Sequence, residues 1–190
     1  MARQPAPGTR DRILDSATRL FLARGASTVG TQQIVDDCGC GKNLLYREFP
    51  SKDDLVVAFL ERCQAEWDDL VDAEVAPVAG DPVAEIAAVV RAAADRVADP
   101  AYRICPFRGT GAQLPRDHPA QAVVARHVGG TRDRLLDAAT RAGARDPGAL
   151  ADRLILVVDG MYIDAAILGP GGPAASAVDL AGELVRVAMN

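Results

Sequence analysis

Histidine occurs only twice in this chain, at positions 118 and 127, and neither residue shares helical spacing with a carboxylate. No serine or cysteine has a neighbouring base, and no glycine-rich phosphate loop follows a strand. Nothing therefore marks a catalytic site. The four cysteines (Cys38, Cys40, Cys63 and Cys105) include no Cys-x-x-Cys pair, and no histidine stands at zinc-finger spacing. No metal and no cofactor is expected. Aromatic residues make up 4% of the chain. No apolar run is long enough to span a membrane, and residues 1–8 lack the apolar segment of a signal peptide. The expected compartment is the cytoplasm, where cysteines are normally reduced.

What is abundant is Ala, Leu, Val, Arg and Asp. That mixture favours helix, because alanine is the best helix former and few residues other than valine are β-branched. With 49% apolar residues in 190, the chain can build a core of one medium domain or two small ones. The net charge of −5 is unevenly spread. Residues 1–52 hold eight basic and five acidic side chains, a net of +3, and the remainder carries −8. A basic head on an acidic body directs the head toward phosphate.

The apolar spacing gives a succession of helices and no convincing strand. Residues 9–24 form the first, with Ile13, Leu14, Ala17, Leu20 and Phe21 on one face and Gly25 as the stop. Thr31 is placed to cap a second helix over 32–38, Gly39 permits a sharp turn, and a third helix follows over 42–49. Ser51 and Asp54 approximate a capping box for a long helix reaching about Val75. Asp81-Pro82 and Asp146-Pro147 each start a further helix. Residues 101–119 read as irregular, with a short helix at 109–114. Residues 119–142 read as a helix in which Gly129-Gly130 implies a kink or a very close neighbour. The last helices cover 146–168 and about 174–188. The expected fold is all-α with about nine helices. A three-helix head at 1–50 precedes a helical body at 51–190.

Residues 31–52 form a helix-turn-helix reading unit. A recognition helix needs an N-terminus aimed at the groove, side chains that reach base edges, and neighbours that grip phosphates. Gly41, Lys42, Asn43 and Leu44 supply the exposed first turn. Asn43 can pair with adenine, Lys42 can reach guanine or a phosphate, and Leu44 can touch a thymine methyl. Tyr46, Arg47 and Lys52 suit phosphate oxygens. Thr31 can offer its hydroxyl and N–H to another phosphate, with Gln32 beside it.

With Leu20-Phe21, Gly25, Thr31, Ile34, the Gly39 turn, Leu45-Tyr46, Phe49, Ser51-Lys52 and Leu55, residues 9–63 resemble the N-terminal domain of the TetR family of bacterial transcription regulators. The resemblance implies a homodimer on a pseudo-palindromic double-stranded DNA site. It also implies a helical C-terminal domain that binds a small-molecule inducer. Positions matching Thr31, Lys42, Tyr46 and Lys52 meet DNA in that family, and the one matching Asn43 often does. Three departures stand out. Cys38 and Cys40 replace the usual alanine and valine. Gly41 replaces a capping Ser or Thr. Asp36-Asp37 sets two negative charges at the unfavourable end of the second helix dipole.

The body carries no motif of equal strength. Cys105-Pro106-Phe107, His118-Pro119 and Asp146-Pro147 look similar to a common subgroup of the family. The helices at 146–168 and 174–188 are the expected dimer interface, the first apolar over more than one face and the second rich in small residues. Trp67, Phe107, Gln113, Met161 and Tyr162 are the expected ligand contacts, for a small ligand that is mostly apolar or aromatic. Residues 103–114 are expected to couple that pocket to the head. An alternative keeps the DNA head but makes the sensor a thiol, with oxidation of Cys38 and Cys40 distorting the turn.

Overall fold

The computed structural model describes residues 8–100 and 102–190. Residues 1–7, to which the expectation about a signal peptide applies, and Ala101 lie outside the described residues. Among the described residues there are nine α-helices and no strand. They are α1 (Thr9–Arg24), α2 (Thr31–Cys38), α3 (Lys42–Glu48), α4 (Lys52–Val75), α5 (Pro82–Ala98), α6 (Pro106–Gln113), α7 (Ala120–Arg141), α8 (Pro147–Leu168) and α9 (Ala177–Met189). Short 3-10 turns occupy Ala76–Val78 and Pro173–Ser176. No helix among the described residues is long and apolar enough to cross a membrane.

Most helix starts are set locally. Ser51 and Asp54 bond reciprocally: Asp54 N–H donates to Ser51 Oγ at 3.0 Å, and Ser51 N–H donates to Asp54 Oδ2 at 3.0 Å. Asp81 Oδ1 accepts from the N–H groups of Val83 and Ala84, each at 3.1 Å, and Asp146 Oδ1 accepts from Ala149 N–H at 2.9 Å. These carboxylates satisfy amides that a helix start leaves unpaired, and their charge suits the positive end of the dipole. One start differs from expectation. Thr31 is the first residue of α2, not its cap. Gly30 is the cap, with its N–H donating to Gln33 Oε1 at 2.8 Å. The sharp turn after α2 does need its glycine, since Gly39 has φ +62°.

The chain divides into two compact units, with cuts inside α4 and α7 and just before α6. The first unit runs to Gln64 and takes in Pro106–Ala125. Its core is Ile13, Ala17, Phe21, Ile34, Leu45, Phe49, Leu55, Phe59 and Leu60, with Phe21 and Phe59 meeting edge to face at 5.4 Å. Arg62 pairs with Asp15 at 2.5 Å, and His118 Nε2 lies 3.2 Å from Asp53 Oδ1. The helix α6 begins at Pro106, earlier than the sequence suggests.

The second unit comprises Ala65–Cys105 and Arg126–Asn190. Here α5, α8 and α9 pack on one another. Ile86, Val90, Val97, Leu135, Leu150, Leu154, Val158 and Val185 fill the core. Val83, in the first turn of α5, is 44% exposed. Glu85 is buried and accepts from Arg141 and from Gly80 N–H, and these bonds hold its carboxyl below the usual range. The glycine pair in α7 makes no close contact. A Cβ at Gly129 or Gly130 would meet nothing within 4 Å, and the helix is continuous across both.

Candidate nucleic-acid interface

The first three helices hold the candidate reading surface. Leu45 and Phe49, both fully buried, anchor α3 from below. That leaves Lys42, Asn43, Tyr46 and Arg47 exposed together on its outer side, with Leu44 half-buried. Gly41 caps α3 without a side-chain bond, and its own position is open: a Cβ there would meet nothing within 4 Å.

Two helices contribute to one grip. The Thr31 hydroxyl, at the first turn of α2, lies 3.5 Å from the Tyr46 hydroxyl on α3. A pair of hydroxyls at that spacing, next to the free N–H groups that begin α2, can hold a phosphate oxygen. Gln32 is exposed on the same turn, its Nε2 donating to Asp36 Oδ1 at 2.8 Å. Lys52, first residue of α4, donates from Nζ to the Ser27 carbonyl at 3.4 Å, and burial lowers its pKa.

One of the two acids at the end of α2 is compensated. Arg19 on α1 donates twice to Asp37, at 2.8 and 2.5 Å, and these bonds hold the Asp37 carboxyl below the usual carboxylate range. Arg10 closes the other side. Its Nη1 donates to the Glu48 carbonyl at 2.9 Å, and its guanidinium lies 4.1 Å over the Phe49 ring. Neither arginine was singled out for these tasks in the sequence, because each contact joins residues far apart in the chain.

The cysteines depart from expectation. Cys38 and Cys40 are joined as a disulfide, while Cys63 and Cys105 are free and buried. The cause is local: Gly39 in the left-handed region brings the two Cα atoms to 5.4 Å, inside the usual disulfide range. With the sulfurs joined, the N–H groups of Gly39 and Cys40 both reach the Val35 carbonyl.

The five residues expected around a ligand are distributed as follows. Trp67 is buried in the second unit, its ring edge-on to His127 at 5.8 Å. Met161 and Tyr162 are buried in the same unit. Tyr162 stacks on Tyr102 at 6.2 Å, and the Tyr102 hydroxyl donates to the Tyr162 carbonyl at 2.9 Å. Burial raises the pKa of both phenols, so both stay neutral. In the first unit Phe107 is fully buried, and Gln113 is exposed and already engaged. Its Oε1 accepts from Ser27 Oγ at 2.9 Å, and its amide lies over Gly25. Tyr102 and His127 were not among the residues picked from the sequence, since neither lies on a recognisable apolar stripe.

An all-helical chain with a short two-helix reading unit near its start defines the class of helix-turn-helix regulators with helical bodies. Residues 13–59 match the family model described as bacterial regulatory proteins, tetR family. Those residues form an N-terminal domain of this family's type. A curated relative, the uncharacterized HTH-type transcriptional regulator Rv1255c of Mycobacterium tuberculosis, is 32% identical over 59% of this chain and 46% of its own length. The HTH-type transcriptional activator FasR of Mycolicibacterium smegmatis is 37% identical over 32% of this chain and 27% of that one. The chain thus spans about half the length, or less, of the curated relatives it matches. Among solved structures, SCO4454, a TetR-family transcriptional regulator from Streptomyces coelicolor, superposes with a TM-score of 0.90 at 25% identity. That match covers 95% of this chain and 96% of the other.

Proposed function

We propose that this chain is a DNA-binding transcriptional repressor, released from a pseudo-palindromic operator by a small, mostly apolar or aromatic ligand. The observation that carries the reading is the outer side of α3. Lys42, Asn43, Tyr46 and Arg47 are exposed together there, and the Tyr46 hydroxyl is 3.5 Å from that of Thr31. Thr31, Tyr46, Arg47 and Lys52 grip phosphates. Gln32, Lys42, Asn43 and Leu44 face base edges, and Gly41 lets the backbone approach the duplex closely. Residues 1–50 carry DNA binding, and residues 51–190 carry ligand binding and dimerisation. Trp67, Phe107, Gln113, Met161 and Tyr162 are the proposed ligand contacts, and the cytoplasm is the proposed compartment. Two copies join through α8 and α9, whose outer faces leave Leu156 70% and Ile167 73% exposed. A groove of about 380 Å³ runs between these helices, lined by Leu156, Met161, Ala177 and Leu180 among others.

The test is a mobility-shift titration on DNA flanking the gene's own promoter. Tyr46→Ala and Lys52→Ala should each weaken binding roughly tenfold at every sequence, and Lys52→Ala, which removes a cation, should also make the salt slope shallower by about one. Parent-like affinity in both variants would show that the head has been misread.

A second reading is favoured by the joined sulfurs of Cys38 and Cys40. In it, the thiol pair regulates DNA affinity. A peroxide takes two electrons and two protons from the two thiols, forming the disulfide and two waters. In this reading oxidation alters the turn that carries α3, and the disulfide form is the weaker binder. Reduction with dithiothreitol should then strengthen the shift, and Cys38→Ser and Cys40→Ser should keep DNA binding and abolish the response. Equal affinity of the reduced and oxidised parent ends this reading.

A further inference from the structure

We infer that Asp36 decides which base Gln32 reads, by fixing the orientation of its amide; the inference rests on the DNA-binding reading above. Gln32 and Gln33 both lie in the first turn of α2, but they are used differently. The Gln33 amide is committed to the helix start, where its Oε1 accepts from Gly30 N–H at 2.8 Å. Gln32 is exposed, and its Nε2 donates to Asp36 Oδ1 at 2.8 Å, one helical turn on.

A carboxylate only accepts hydrogen bonds. Turning the Gln32 amide over would break this bond and bring its Oε1 against the Asp36 oxygens. The amide therefore has one orientation, with Oε1 and a single remaining N–H left for the DNA. Adenine offers an amino donor at N6 beside an acceptor at N7, which matches this pair of groups bidentately. Cytosine offers one amino donor and makes one bond. Guanine presents acceptors at both O6 and N7, so one of them faces Oε1 without a proton between them. An unrestrained glutamine escapes this by turning both N–H groups of its amide toward O6 and N7. Gln32 held by Asp36 does not.

The pairing also separates the tasks of two adjacent acids. Asp37 is held by Arg19 through two bonds at 2.8 and 2.5 Å and braces α2 against α1. Asp36 is exposed and accepts from Gln32. An exposed negative charge on a surface that meets phosphate lowers affinity for every sequence alike. Its effect on one base position is a separate matter, and that is what can be measured.

The experiment is selection of binding sites from a random duplex pool by the full chain, using the parent, Asp36→Ala, Asp36→Glu and Gln32→Ala. The parent should exclude guanine relative to adenine by about tenfold or more at one position in each half-site. Asp36→Ala should bring guanine to within about threefold of adenine there and leave the other positions unchanged. Asp36→Glu, which still only accepts, should keep the exclusion, and Gln32→Ala should flatten the position. If Asp36→Ala selects the same sequences with guanine excluded as before, the inference is overturned while DNA binding stands. A parent that enriches no sequence overturns both.

Discussion

Leu156→Asp combined with Ile167→Asp is expected to leave the chain monomeric and to cut its affinity for a two-half-site operator by about a hundredfold or more. The inner side of α8 is committed: Leu150, Leu154, Val158, Met161 and Ala165 are buried within the unit. On its outer side Leu156, Ile163 and Ile167 are 70%, 46% and 73% exposed, at spacings of seven and four that place them on one stripe. On α9, Leu180 and Val187 are 46% and 62% exposed at the same seven-residue spacing. Covering each large side chain stabilises a dimer by roughly 1.5–3 kcal/mol, and a carboxylate in its place removes that gain and adds a desolvation cost. Gly160 lies between Leu156 and Ile163, and a Cβ there would meet nothing within 4 Å. A partner backbone can therefore come close at that point. The loss of DNA affinity follows from linkage alone. Two joined heads bind the second half-site as an intramolecular event, at an effective concentration near millimolar for a short connection. Sedimentation equilibrium reports the mass, and shift titrations on whole and half operators report the linkage. A double variant that stays dimeric would remove α8 as the interface.

The parts of the molecule that were legible in the sequence are those whose cause lies within a few residues. The Ser51–Asp54 box, the Asp81 and Asp146 caps and the Gly39 turn are local solutions to unpaired amides and to a backbone angle. All are present in the structure. The start of α2 was misplaced by one residue because its cap is a glycine, which carries no side-chain signal; the signal lay in Gln33. Two glycines inside α6 obscured a helix that tertiary packing of Pro106 and Phe107 secures. The acids at the end of α2 looked like a fault until Arg19, far away in sequence, was seen beside one of them. The exposed face of α3 was legible because helical periodicity alone separates Leu45 and Phe49 from Lys42, Asn43 and Tyr46. Ligand contacts have no such periodicity. Gln113 satisfies the same sequence criteria as a pocket residue, yet its amide meets Ser27.

Phe49→Ala is expected to destabilise the first unit by about 3–5 kcal/mol, a large share of the stability of a small domain. The side chain is 1% exposed and lies where α3 ends. Its N–H donates to the Leu45 carbonyl at 2.8 Å, and Arg10 covers its ring at 4.1 Å while holding the Glu48 carbonyl. Truncation leaves a cavity under the recognition helix and strips Arg10 of its aromatic partner, so two contacts that fix the helix fail together. Phe49→Leu keeps most of the volume and should cost well under half as much, about 1.5 kcal/mol or less. Urea unfolding followed by circular dichroism should show an early transition in Phe49→Ala that is absent from the parent. The α5, α8 and α9 core should melt at its usual concentration. DNA binding should disappear while the dimer persists in sedimentation. Tyr46→Ala provides the contrast that makes this decisive. It should lose DNA affinity with a much smaller change in the unfolding curve, because Tyr46 is 40% exposed where Phe49 is 1% exposed. If both variants shift the unfolding curve equally, the division of α3 into a buried anchor and an exposed reader is wrong.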